Sequence, residues 1–222
     1  VYCSSAPLLE PRVLNAHRSH LLQARLGAAG YRDAFQQALA AYGPYTLEPA
    51  DRLGLTDLYL YDDEPTRRFK RLVNFELPYP VLDVVLRQLF ERFVGSEREL
   101  SSKLYLSADD IRRCQDGGIE IGAHGHEHLV LTRLSEAEQR RDLQTAADYF
   151  KSELGISELH SSYPYGAGGC WNDTTKRLLT ELGFASASTK IRAIVKPSDL
   201  NARWELPRFR SEEHTSELQS RE

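Results

Sequence analysis

Methionine is absent from this sequence of 222 residues, which begins with Val1. No initiator residue is present, so we expect the chain to be a fragment or a processed product. Long apolar runs are absent as well, since none approaches the ~18 residues that a membrane-spanning helix needs. We therefore expect no transmembrane segment, and the sequence leaves the cellular compartment open because no start signal can be read.

Cysteine is scarce and charge of either sign is not in excess. The cysteines are three in number and form no Cys-x-x-Cys pair, so neither a structural zinc site nor a disulfide framework is indicated. The net charge is −4, and the short basic pairs lie on segments with helical periodicity. No clustered basic face is indicated, so nucleic acid is not an expected partner. With 41% hydrophobic residues, the composition is that of a globular α/β domain.

The histidines, in contrast, are concentrated. The segment GAHGHEH at 122–128 follows a short apolar run, 119–121, which predicts the end of a buried strand. On one helical turn, positions i and i+4 face the same way, so we expect the His124 and His128 imidazoles to reach one divalent cation. The zincin motif is excluded because Val130 stands where its second histidine would be. A solvated His-rich turn remains the alternative at this point.

Helices and strands alternate downstream of this motif. Ser135 and Glu138 have the spacing of a capping box and predict a helix that Gly155 ends. An apolar segment, 159–163, then leads into a Tyr-Pro-Tyr-Gly turn and a second helix, 173–182. Such alternation predicts parallel strands, and the loops that follow parallel strands gather at one edge. We therefore expect the histidine motif and the Tyr-Pro-Tyr-Gly turn to open on the same face.

Together these motifs resemble those of the polysaccharide deacetylases, the NodB-homology or carbohydrate esterase family four fold. Residues 119–128 are similar to the family's second motif, and the resemblance implies that His124 and His128 bind the catalytic metal. Residues 162–166 are similar to its third motif, which implies that the backbone N–H of Tyr165 helps to bind the oxyanion.

Two later segments, Leu182-Gly183-Phe184 and Leu206-Pro207-Arg208, also match the family, and the resemblance covers 104–209. Arg208 resembles the arginine that supports the catalytic base, with a surface cation as the alternative. The resemblance implies an α/β fold, here an incomplete, deformed (β/α) barrel. It also implies a metal-dependent hydrolase, with zinc the expected divalent ion, that removes N-acetyl groups from a polysaccharide or a glycan precursor.

The sequence departs from the family pattern in two ways. Ser162 stands where many members carry an arginine, and no Asp-Asp pair fits the family's first motif. The pairs Asp62-Asp63 and Asp109-Asp110 are more simply helix starts. We therefore expect the missing carboxylates to precede Val1, the general-acid histidine to lie beyond Arg208, and the fragment to be inactive. A non-catalytic carbohydrate-binding relative and an amidohydrolase acting on a non-sugar amide are the alternative functions.

Within the expected deacetylase domain, 1–209, a mostly helical insertion covers about 8–103, and two of its expected helices, 13–26 and 31–41, are separated at Gly27 and Gly30. The apolar stripe on its helix 81–93 is expected to pack against the barrel. His17 and His20 could face a metal, although a polar helix face is the simpler interpretation. Residues 210–222 begin with the translation of a common sequencing-adapter oligonucleotide, so we expect this tail not to be native.

Overall fold

A computed structural model describes residues 1–45 and 62–208. The chain divides into two compact units, one comprising Val1–Ser5 with the chain from Arg112 onward and the other comprising Ala6–Ile111. Within the described residues no helix is both long enough and apolar enough to cross a membrane. The tail 210–222 lies outside the described residues, so its assignment to an adapter stays a prediction.

The unit Ala6–Ile111 is built from helices: α1 (Ala6–Leu9), α2 (Asn15–Leu39), α3 (Glu64–Arg71), α4 (Tyr79–Phe93), α5 (Glu97–Leu104) and α6 (Ala108–Asp116), whose end belongs to the other unit. A kink at Gly27, where φ is +70°, divides α2 at the position where the sequence predicts a break between two helices. α3 begins at Asp63, whose carboxylate accepts a hydrogen bond from the Thr66 N–H (2.8 Å). Asp110, in the first turn of α6, accepts hydrogen bonds from the Ser107 N–H and the Ser107 hydroxyl. Both acidic pairs are thus helix starts.

The core of the helical unit is an apolar cluster between α2, α3 and α4. The Tyr31, Phe35 and Phe69 rings pack edge to face in it, with centroids 5.0 to 6.0 Å apart. Most of the apolar stripe of α4 takes part in this cluster, whereas Val84 is exposed. The expected packing of the stripe against the barrel stays a prediction. The spacing of the apolar residues indicates which face of α4 is buried. The neighbouring helices of the same unit pack on that face.

One fully buried cation also lies in the helical unit. Arg18 has no exposed surface, and its guanidinium donates hydrogen bonds to Asn15 and Asp83 (both 2.6 Å) and to Glu97 (2.8 Å). A buried charge is tolerated only when paired and hydrogen-bonded, as here. This polar contact joins α2 to α4 and α5.

The other unit holds a parallel sheet of four strands in the order β1 (Tyr2–Cys3), β2 (Gly122–Ala123), β3 (Leu159–Ser162) and β4 (Phe184–Ser188). α7 (Glu136–Asp148) follows β2, and α8 (Asp173–Glu181) follows β3. Among the strands of the described residues the sheet is open, with β1 and β4 as its two edges. The predicted fold class is confirmed: the protein is α/β with an incomplete set of parallel strands.

Local signals account for much of this unit. Ser135 and Glu138 form the predicted capping box at the start of α7. β2, however, comprises Gly122–Ala123 rather than the predicted 119–121, and it pairs with Tyr2–Cys3 of β1. The strands approach closely there, and a Cβ on Gly122 would lie 2.6 Å from the Tyr2 ring. Only glycine fits that position without a shift.

Candidate active site

The two predicted metal ligands meet at the end of β2. The His124 and His128 ring centroids lie 4.8 Å apart, with an interplanar angle of 74°. The loop that joins them is not the expected helical turn, because residues 124–128 contain no helix. Instead, left-handed conformations at Gly125 (φ +67°) and His128 (φ +59°) turn the chain back on itself. The expected convergence is found, but the expected backbone geometry was wrong.

Strained backbone conformations occur at this histidine loop and at the turn that carries Tyr165. Within the described ranges, His128 (φ +59°) and Tyr165 (φ +65°) are the only residues other than glycine with positive φ. Each such conformation costs about 1–3 kcal/mol, and such residues cluster at functional sites. The two are in contact, since their ring centroids lie 5.2 Å apart. The structure therefore brings His124, His128 and Tyr165 into one group of half-buried side chains.

The tight turn that carries Tyr165 follows β3. The Gly166 N–H donates to the Pro164 carbonyl (2.8 Å), and the Gly166 carbonyl accepts from the Lys190 N–H (2.7 Å). A Cβ on Gly166, where φ is +58°, would lie 2.9 Å from the Lys190 nitrogen. The turn is thus fixed against the segment after β4, and it opens beside the histidine loop as the strand order predicts.

A hydrogen bond orients the first histidine. Nδ1 of His124 lies 2.6 Å from the Ser162 carbonyl oxygen, so Nδ1 carries the proton and Nε2 keeps the lone pair that a metal needs. Ser162 itself stands at the family's arginine position. Its Oγ is buried and meets no hydrogen-bond partner in the described part of the chain.

The end of β1 holds the histidine loop from another side. Ser4 Oγ donates to the His124 carbonyl (2.8 Å), and Ser5 Oγ lies 2.8 Å from Nδ1 of His126. The Ser5 N–H donates to the Gly125 carbonyl (3.3 Å). The sequence carries no signal for these contacts, because they join residues about 120 positions apart.

Asp142, on the buried face of α7, is a second residue that the sequence interpretation missed. Its carboxylate accepts hydrogen bonds from the N–H groups of His126 and Glu127, both at 3.0 Å. Burial raises the pKa of the Asp142 carboxyl, and the two N–H donors oppose that rise. The signal for it was an acidic residue in the stripe that also buries Leu143 and Ala146.

The chemistry of this group fits part of a metal site. Two imidazoles that converge are suitable zinc ligands, and a catalytic zinc site has about three protein ligands and one open position. In the described ranges, no group of three or more His, Cys, Asp or Glu side chains is placed to hold an ion. His124 and His128 could supply two ligands of such a site.

Arg208 lies beyond the C-terminal end of β4. Leu206 pairs in parallel with Ser188 of β4, and the Arg208 N–H donates to the Ile191 carbonyl (3.0 Å). Its Nε is buried and has no hydrogen-bond partner among the residues that the structure describes. Support of a catalytic base by Arg208 remains a prediction.

The histidine pair in the helical unit has a different environment. The His17 and His20 ring centroids lie 6.4 Å apart, and Nδ1 of His17 lies 2.6 Å from the Tyr105 hydroxyl. Burial lowers the pKa of His17, and the neighbouring His20 lowers it further. The Tyr105 hydroxyl also accepts from the Leu14 N–H (2.9 Å). This pair belongs to a polar contact within the helical unit.

Comparison with known proteins gives one family. Residues 90–187 match the family model described as Polysaccharide deacetylase, which is under half of the 222 residues. No curated protein matches.

Several solved structures are similar to this chain. The deacetylase domain of BpsB from Bordetella bronchiseptica is 18% identical, with a TM-score of 0.42, over 51% of this chain and 50% of that one. The deacetylase PplD from Streptococcus pyogenes is 20% identical, with a TM-score of 0.45, over 81% and 80%. IcaB from Ammonifex degensii is 20% identical, with a TM-score of 0.33, over 43% and 50%.

The chain thus spans half the length of the BpsB domain that it matches. The segment matched by the family model contains His124, His128 and Tyr165 but not Arg208. The resemblance of this chain to the polysaccharide deacetylases is thereby confirmed, over residues 90–187.

Proposed function

We propose that His124, His128 and Tyr165 form part of the active site of a metal-dependent de-N-acetylase, which hydrolyses the N-acetyl amide of a polysaccharide or glycan precursor. The observation that carries the proposal is the contact between the two strained residues, His128 and Tyr165. Strain of this kind persists only where the surrounding structure maintains it, and here it brings a histidine pair together with a turn. The match to the deacetylase family, which covers all three residues, supports the same conclusion.

His124 and His128 would hold a divalent ion, zinc in our proposal, through their ring nitrogens. The ion, when bound, would supply Lewis acidity toward the acetamide carbonyl. The contact from His124 Nδ1 to the Ser162 carbonyl would prepare the ring for this role, because it places the proton on Nδ1 and leaves Nε2 to bind the ion.

Tyr165 would contribute its backbone N–H to the oxygen that becomes negative when water adds to the carbonyl. A fixed donor of this kind is worth about 10²–10³ in rate. The Tyr165 turn is rigid for this purpose, since Gly166 is bonded on both sides. Arg208, with its buried Nε, would support the carboxylate that takes the proton from water.

That carboxylate is not among the residues gathered at the site. Within 1–45 and 62–208 no acidic side chain joins the two histidines in a group of three. We therefore propose that the 222-residue chain binds the ion but does not turn over substrate. A chain that also carries an Asp-Asp pair in the family's first position would release acetate from an N-acetylated oligosaccharide.

Metal binding is the first test of this function. Zinc binding to the purified chain is measured by titration calorimetry for the wild type, His124→Ala, His128→Ala and, as a control, His160→Ala. His160 lies on β3, where its Nδ1 contacts Ser186 Oγ (2.8 Å), away from the histidine loop. We expect one zinc site that either loop substitution abolishes and the control keeps. Equal binding by all four proteins would overturn the proposal.

Acetate release is the second test. It is measured on oligomers of N-acetylglucosamine, with zinc and with a chelator, for the chain as it is and for one with the Asp-Asp pair. We expect zinc-dependent release from the second only. If the extended chain binds the oligomers without zinc and releases no acetate, the function is carbohydrate binding without catalysis. The lack of a third ligand in the described residues makes that the second candidate function.

A further inference from the structure

We propose that Asp142 is the positioning residue that holds the 124–128 loop in the conformation in which the His124 and His128 rings meet. Asp142 touches neither ring in the contacts described above. It acts on the backbone between them, through the N–H groups of His126 and Glu127. Its consequence for metal binding rests on the function proposed above, whereas its effect on the loop does not.

Both oxygens of the Asp142 carboxylate take part in this contact. Oδ2 accepts from His126 and Oδ1 accepts from Glu127, each at 3.0 Å. The residue is only 5% exposed, so water cannot readily replace either bond. A buried N–H that loses its acceptor pays its full cost of desolvation. The loop therefore keeps its conformation while Asp142 is present.

The backbone of the 124–128 loop packs closely against the Asp142 side chain. Gly125 approaches so closely that a Cβ there would lie 2.9 Å from Asp142 Oδ2. The two bonded amides lie between left-handed Gly125 and left-handed His128. Without the carboxylate, His128 could relax to negative φ, and its ring would turn away from His124.

The test compares two substitutions on the same buried face of α7. Asp142→Asn keeps the shape of the side chain but places an amide NH₂ against one of the two N–H donors. Gln139→Ala is the matched control. Gln139 is 2% exposed and is bonded to Thr175 (2.7 Å) and Leu134 (3.3 Å) rather than to the loop. Both changes remove a buried polar contact, so both should lower the global stability.

The decisive readout is amide hydrogen exchange at His126 and Glu127, followed by NMR, with zinc affinity as the second readout. In the wild type both amides should be protected, although they lie in a loop. Asp142→Asn should raise their exchange rates at least about tenfold more than Gln139→Ala does, the size of a lost bond to a charged group. It should also weaken zinc binding by about 10–100-fold, as for other outer-shell partners of metal ligands.

The outcomes separate this inference from the proposed function. If the wild-type chain binds no zinc, the metal site fails, yet exchange at the two amides still decides the role of Asp142. If Asp142→Asn does not fold, the wild-type measurement decides, since unprotected amides at His126 and Glu127 would overturn the inference. Equal exchange in the Asn and Gln139→Ala variants would overturn it as well.

Discussion

Replacement of Gly125 by alanine tests how closely the histidine loop, residues 124–128, packs against Asp142. Gly125 has φ +67°, and an added Cβ would lie 2.9 Å from Asp142 Oδ2 and 3.4 Å from Pro164 Cγ. Gly155 is an internal reference, because it has the same φ of +67° but nothing within 4 Å of the added carbon. Both variants therefore carry the cost of an alanine at positive φ, and only Gly125→Ala adds a close contact with Asp142 and Pro164.

The expected magnitudes follow from these contacts. A left-handed alanine costs about 1–2 kcal/mol, and the stiffer unfolded chain returns about 0.4–1 kcal/mol. Gly155→Ala should thus lower the free energy of unfolding by about 1 kcal/mol. In Gly125→Ala the Asp142 carboxylate must also move, and loss of one bond from a buried N–H to a charged group adds about 1.5–3 kcal/mol.

Urea denaturation of the two variants and the wild type, followed by tryptophan fluorescence, measures both values. We expect Gly125→Ala to be less stable than Gly155→Ala by about 2 kcal/mol. A difference below about 0.5 kcal/mol, the usual range for surface changes, would show that the loop is free to move away from Asp142 and that the close approach has no energetic consequence.

Three further changes test the fold. Arg18→Ala removes the fully buried guanidinium from the partly exposed Asp83 and Glu97 and should lower the free energy of unfolding in urea by about 1.5–3 kcal/mol, against about 0.5 kcal/mol for exposed Arg68→Ala; similar losses would contradict the buried network. Gly122→Ala places a Cβ 2.6 Å from the Tyr2 ring and should cost about 1–3 kcal/mol; an unchanged stability would mean that the strands are not so close. Burial raises the pKa of the Cys170 thiol to about 11 from 9.0. As the pH rises, the thiol therefore loses its proton in the unfolded chain before it does so in the folded chain. The free energy of unfolding should then fall between about pH 9 and about pH 11. Cys170→Ala should reduce that fall, and an identical pH profile would refute the assignment.

Local sequence signals predicted the elements of this fold well. The capping box of Ser135 and Glu138 and the kink at Gly27 depend on neighbouring residues alone, so they could be read directly. The alternation of strands and helices gave the parallel sheet, because parallel strands need crossover connections. The boundaries of β2 could not be predicted in this way, since they depend on β1, about 120 residues earlier.

The sequence predicted which residues meet at the candidate site but not the backbone conformation that brings them together. The spacing of His124 and His128 indicated that the rings converge, yet a helical turn was the wrong reason. The residues before the left-handed His128 are held by tertiary contacts, Glu127 by Asp142 and His126 by Ser5. Positive φ is uncommon in residues other than glycine, and the spacing of two histidines does not indicate it.

The central claim, that His124 and His128 hold one divalent ion together, is tested most directly by zinc X-ray absorption spectroscopy of the chain loaded with one equivalent of zinc. The account predicts two imidazole ligands at about 2.0–2.1 Å with oxygen in the other positions, and only one imidazole in His124→Ala or in His128→Ala. Sulfur in the coordination shell, or the same imidazole signal in the wild type and both variants, would contradict it.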